Sequence, residues 1–319
     1  MKIRKPEMFS LADDGGKPKL WQIILMFIAV YLMASIVGSI PGFVLEIKDM
    51  VDAISQGASP EEATLIINQM RNSRSYLYAT LFGTILSSIV VILWARFYEK
   101  RTMKSLGFAR KSALRDYFVG MLVGFVMFSL VVGINLATGA MTIENLTSNL
   151  SGATIGFILL FFIGFLFQGA FEEILVRGYL MVNIGAKHKV ITAIAVSGIA
   201  FAIMHGINPG ISILALINLI LISVFWGLYI ICFDNLWGAC AMHSIWNFVQ
   251  GNFYGIKVSG LNIADSVFVS TSVPGKEFIN GGAFGAEGGI ATTIVIIIAT
   301  VILLSYMKKK GKLEKETEK

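Results

Sequence analysis

The chain has 319 residues, of which 55% are hydrophobic and only 14% charged, with a mean hydropathy of +0.74. This profile excludes an ordinary soluble globular protein and places the chain among polytopic membrane proteins. The formal net charge of +6 sits in the connections between apolar runs, so it speaks for membrane topology and anionic lipid, and against nucleic acid as a partner.

In chain order, residues 1–19 are polar and too long for the head of a cleaved signal peptide, so the first apolar run is expected to stay as a membrane anchor. Eight apolar runs follow, near 20–45, 76–98, 115–137, 153–185, 189–207, 211–232, 235–253 and 290–307. Each approaches the ~20 residues that cross a bilayer as a helix. Pro41 and Gly42 are expected to end or kink the first. Ser59-Pro60-Glu61-Glu62 reads as a capping box with proline at the first helical position, starting a short amphipathic helix to about Arg71 at the membrane interface. Lysine and arginine cluster in the N-terminal tail, in 96–115 and at Lys308, Lys309 and Lys310, whereas 138–152 and 206–211 have none. By the positive-inside rule both termini are cytoplasmic.

Cys232 and Cys240 read as small buried apolar residues and His188 as an exposed turn residue between spans four and five. Trp21, Trp94 and Trp237 fall near span ends, where an interfacial aromatic belt forms. Asn208-Pro209-Gly210 reads as a turn, and Asn218 and Ser223 as interhelical hydrogen-bonding groups. The stretch 254–289, rich in Gly, Ser and Thr, reads as an outer loop, and the lysine- and glutamate-rich C-terminus as a solvated, fraying tail. The expected fold is therefore all-α: one polytopic membrane bundle of about eight helices spanning 1–319, without internal repeat.

The chemistry concentrates in FFIGFLFQGAFEEILVRGYL, residues 161–180, where Glu172, Glu173 and Arg177 interrupt a membrane-length apolar helix. One carboxylate at the centre of a bilayer costs on the order of 2.5–3.5 kcal/mol by insertion scales, so such groups face a protein interior or a wet cavity and mark a site. Glu173 and Arg177 have the i,i+4 spacing that lets opposite charges pair, while Glu172 is offset by about 100° around the helix. His205 lies near the far end of span five and His243 inside span seven, with Asn247 one turn later on the same face.

Spans four and five form a hairpin that turns near 186–188. Glu172 lies ~21 Å before that turn and His205 ~25 Å after it at 1.5 Å per residue, so the two can meet. Two arrangements suit these residues. In one, Glu172 and His205 activate a water while His243 and Asn247 donate to an oxyanion. In the other, Glu172, His205 and His243 hold Zn2+ with water at an open position, although no H-E-x-x-H helix is present. A proton-coupled transporter using the same groups as a relay, and a silent immunity or scaffold protein, are rival readings. Gln168, one turn before Glu172, is a candidate supporting residue, and Phe201 a packing one.

Glu172-Glu173-xxx-Arg177, Phe201-xxx-His205 and His243-xxx-Asn247, in this order on membrane helices, resemble the three motifs of the CPBP family, the CAAX-protease and bacteriocin-processing (Abi) membrane proteins. The resemblance covers roughly 150–255. It implies an intramembrane endopeptidase with a membrane protein or peptide as substrate. It also implies water activation by Glu172 and His205, oxyanion binding by His243 and Asn247, and a supporting role for Glu173 and Arg177. Family members are described both as metalloproteases and as metal-free glutamate proteases, so zinc stays open. The simple positive-inside layout fits a bacterial cell membrane, where prenylated substrates are not expected.

Overall fold

The structure is a computed structural model that describes residues 2–109, 111–144 and 151–314. After β1 (Lys2–Ile3) come α1 (Glu7–Leu11), α2 (Leu20–Ser55), α3 (Pro60–Met70) and α4 (Arg74–Leu93), with α4 continued by a π-helical turn over Trp94–Tyr98. Next are α5 (Ala113–Ala137), β2 (Met141–Glu144) and α6 (Gly152–Glu173), which runs through a π-helical stretch, Ile174–Met181, into α7 (Val182–Lys187). The chain then forms α8 (Val190–Met204), α9 (Ile213–Phe233) and α10 (Trp237–Phe248), the last extended by a π turn over Val249–Phe253. It closes with β3 (Val269–Ser272), α11 (Glu277–Asn280), α12 (Ile290–Lys309) and β4 (Leu313–Glu314).

All eight expected helices are present, and among the described residues six segments are long and apolar enough to cross a membrane. The other two, α8 and α10, are shorter. The chain leaves α8 at His205, just before Gly206 and Pro209, residues that do not propagate a helix. α10 carries His243, Ser244 and Asn247 and is buried along almost its whole length, so neighbouring helices stand where lipid would. It crosses α6 closely at Gly169. A Cβ there would lie 2.6 Å from the Ser244 nitrogen, so only glycine permits the contact.

The first helix departs from its expected end. α2 continues through Pro41 to Ser55, and its 36 residues reach ~54 Å, well beyond the ~30 Å hydrocarbon core. Proline removes one backbone donor but does not stop a helix held on both sides of it, as α4 holds α2 through the Ser87 hydroxyl, which donates to Ala34 O at 2.8 Å. α3 forms as expected. The Ser59 side chain accepts from Glu62 N and the Glu62 carboxylate accepts from Ser59 N at 2.8 Å.

On the side holding the termini, the N-terminal segment is docked and not free. Met8 and Phe9 are buried, the amides of Glu7 and Met8 donate to the Asp234 carboxylate, and Lys187 pairs with Asp13 and Asp14. Those contacts hold the Asp13 and Asp14 carboxyls below the usual carboxylate range. The C-terminal tail is likewise ordered as far as 314, because β4 pairs antiparallel with β1, while the rest of the expected fraying tail lies outside the described residues. His188 occupies the expected turn but is half-buried, and both cysteines are buried and free.

On the opposite side, 254–289 is a folded cap. β3 pairs with β2 across the 138–152 connection, and Gly260 takes φ +85° where a Cβ would lie 1.9 Å from Pro209 O. Asn208 donates to Ser259 O at 3.0 Å, which ties the α8–α9 turn to the cap.

Candidate active site

α6, α8 and α10 bring the sequence-selected residues into one cluster beneath the cap. The Glu172 carboxylate faces both histidines, with Oε2 3.8 Å from His205 Nε2 and 3.6 Å from His243 Nε2. The depth match across the α6–α8 hairpin therefore holds. Oε1 accepts a hydrogen bond from Gln168 Nε2 at 2.6 Å, and the Gln168 carbonyl accepts from Asn247 Nδ2 at 2.9 Å. Gln168 thus bridges the carboxylate and the amide, leaving the second Asn247 N–H for another acceptor. Oε2 is buried and has no hydrogen-bond partner among the described residues, so it can accept from a bound water.

Glu173 and Arg177 sit behind this face, both fully buried. Arg177 Nη1 donates to Glu173 Oε1 at 2.8 Å, and the guanidinium carbon stacks 4.5 Å from the Phe201 ring centre and 5.3 Å from that of Trp226. The same Glu173 oxygen takes His243 Nδ1 at 2.9 Å. Because this oxygen already accepts from Arg177, His243 Nδ1 is the donor and carries the hydrogen. Trp226 stacks on the His243 ring with centres 4.4 Å apart and an interplanar angle of 22°. The π-helical stretch starts immediately after Glu173; such stretches recur at functional sites.

His205 is fixed in a different way. Its Nδ1 lies 2.9 Å from Phe201 O, and a carbonyl only accepts, so Nδ1 carries the hydrogen and Nε2 keeps its lone pair. The histidine facing Glu172 is therefore an acceptor in its neutral form. His243 can donate from Nε2 only as the imidazolium, since its other hydrogen is engaged by Glu173.

These groups open into a cavity of about 170 Å³ lined on one side by α6, α8, α9 and α10 and closed on the other by cap residues Val258, Ser259, Leu261, Ile263 and Glu287. That is room for a few waters or one side chain.

Residues 154–249, which take in nearly all of α6 through α10, match the family model of the type II CAAX prenyl endopeptidase Rce1-like proteins. This region of the chain is similar to the CAAX-protease family. The match covers under a third of the sequence, and neither curated proteins nor solved structures gave a match. That similarity supports a CAAX-type membrane endopeptidase in general terms.

The donor set of this CAAX-type domain bears on zinc. Both histidines turn Nε2 toward Glu172 and have Nδ1 held by an oxygen, a pattern that metal-bound histidines share. Even so, among the described residues no three His, Cys, Asp or Glu side chains are placed together as metal ligands. Glu172, His205 and His243 are nonetheless the residues that would hold a zinc ion, which would supply a polarised water.

Sequence reasoning missed one polar group at this site. Glu287, in the cap, is 8% exposed and lines the same cavity. It sits in GGAFGAEGG, where neither periodicity nor a motif distinguishes it from a surface acid. Asn218 forms the expected interhelical hydrogen bond, accepting from Thr293 at 2.6 Å, and also donates to the Glu287 and Gly289 carbonyls at the cavity wall.

Proposed function

We propose that this CAAX-type endopeptidase cleaves a peptide bond of a membrane protein or membrane-bound peptide with a water activated by Glu172 and His205. The observation carrying this reading is Glu172 Oε2, buried without a hydrogen-bond partner among the described residues and facing two imidazole nitrogens at the cavity wall. A water there donates one hydrogen to Oε2 and one to the His205 Nε2 lone pair. Glu172 takes the proton as the oxygen attacks the scissile carbonyl, and returns it to the leaving amine when the tetrahedral intermediate collapses. The second Asn247 N–H and the His243 imidazolium Nε2–H stabilise the oxyanion. Gln168 orients Glu172, and Glu173 with Arg177 orients His243.

The basic residues gather on the side of the paired termini, so we place both termini in the cytoplasm and the cap on the opposite face. This makes the substrate a segment reached from the outer half of the membrane and does not require a prenyl group.

The test is purified protein in detergent with a library of membrane-proximal and lipidated peptides, followed by mass spectrometry. Glu172→Ala and His205→Ala should each lower cleavage by at least about 100-fold, in line with loss of a general base. Cleavage surviving both substitutions refutes the mechanism. Cleavage lost to a strong chelator and restored by added zinc would replace the metal-free water with a metal-bound one. A pH-gradient-driven flux in proteoliposomes that Glu172→Gln abolishes, with no peptide cleaved, would favour transport.

A further inference from the structure

The cavity contains two carboxylates, Glu172 and Glu287, and among the described residues that line it there is no lysine or arginine. Arg177 does not offset Glu287, because it lies behind the cavity wall and is paired with Glu173, and the His243 imidazolium faces Glu172. Glu287 reaches the cavity from the cap just before α12. Its Oε1 accepts from Trp246 Nε1 at 3.1 Å, and its Oε2 accepts from both the amide and the hydroxyl of Ser259 at 2.9 Å. All three donors are neutral, and among the described residues Glu287 forms no ion pair. Neutral dipoles satisfy the hydrogen bonding of a buried carboxylate but leave its charge in place, and a buried charge is costly without a counter-ion.

We propose that Glu287 selects substrates presenting a protonated amine or guanidinium beside the scissile bond. This rests on the cavity being the peptide-binding site. The cation then sits against the cap carboxylate, on the wall facing Glu172. It can come from a lysine or arginine side chain or from a free N-terminus, since all supply the same charge. A latch holding the cap on α10 would use the same three hydrogen bonds without any charge preference, and this difference is what an experiment can read.

The probe is a set of N-acetylated, C-amidated peptides built on one that the wild-type protein cleaves or, where none is cleaved, on one that Glu172→Gln protein binds, with Lys, norleucine or Glu at each position flanking the scissile bond or, without cleavage, at each position in turn. A further arm has a free N-terminus in place of the acetyl group. At one flanking position, or in the free N-terminus arm, kcat/KM should exceed that of its neutral counterpart by about tenfold or more, and Glu should be disfavoured. Glu287→Gln should bring that ratio to about one, whereas Ser259→Ala, which loosens the cap without removing charge, should keep it. Equal rates for Lys and norleucine at every position, with acetylation immaterial, would overturn the proposal even if Glu287→Gln failed to fold. An unchanged ratio in a folded Glu287→Gln protein would do the same. Binding of the same peptides to Glu172→Gln protein separates this from the protease reading. A cation preference in binding without any wild-type cleavage removes the protease and keeps the selectivity. Cleavage without a preference does the reverse.

Discussion

Glu173→Gln tests how the site is held together. The substitution keeps the shape of the side chain but removes the one carboxylate that, among the described residues, touches Arg177, whose side chain is 0% exposed. Breaking a buried pair by removing one partner costs about 3–5 kcal/mol, because the remaining charge is left uncompensated. The Phe201 and Trp226 faces keep part of that charge stabilised, by roughly 1–2 kcal/mol for two desolvated aromatic contacts. The net loss should therefore be about 1–4 kcal/mol. Removing both charges in Glu173→Gln/Arg177→Met should restore most of it, since an apolar replacement of a buried pair is often neutral. The assay is a reversible denaturant titration in mixed micelles on wild type, both single variants and the double variant, giving a coupling energy of about 2 kcal/mol or more. Additive losses would refute the reasoning, for then Glu173 and Arg177 do not act as a pair. Peptide cleavage by the restored double variant should stay low, because His243 Nδ1 has lost its carboxylate.

Gln168→Met removes the bridge between Glu172 and Asn247 while keeping its length, and kcat should fall by about 10–100-fold, equivalent to losing one or two positioning hydrogen bonds. Thermal unfolding of the same variant should change little in comparison. Gly260→Ala forces a Cβ onto Pro209 O at a positive φ, so the cap should become sensitive to added protease at sites within 254–289. Unchanged digestion would show that the cap does not depend on that contact. The N-terminal segment should show a pH dependence of its own. The depressed carboxyls of Asp13 and Asp14 stabilise the docked form above the usual carboxylate pKa, and this contribution is lost as pH falls through their lowered values. Exchange of the 5–14 amides should speed up on acidification, after correction for intrinsic rates, and Lys187→Met should remove that response.

Much of the site could be read from the sequence because its constraints are one-dimensional. A charge in an apolar helix is conspicuous, and a helical hairpin converts residue counts into depth, so the sequence alone pairs Glu172 with His205. The α3 cap was equally legible, since Ser59 and Glu62 bond to each other's amides within one turn. The cap over the cavity was not. Its glycines are chosen for backbone approach to distant carbonyls such as Pro209 O, and that requirement leaves no period in the sequence. The docked N-terminus escaped for a related reason, because it is anchored by two apolar residues, Met8 and Phe9, too few to form a pattern. The course of α2 through Pro41 was misjudged because the local rule for proline was overridden by packing against α4.

The two short helices have a consequence for how this molecule is made. α8 delivers His205 and α10 delivers His243 and Asn247, and neither has the apolar length of an independent span. Their stable place in the membrane depends on α5, α6 and α9 already standing around them. The groups that complete the site thus come together late in biogenesis, and a partly inserted chain carries Glu172 without the partners it needs. A cell making this protein therefore holds an incomplete site until these two helices have docked.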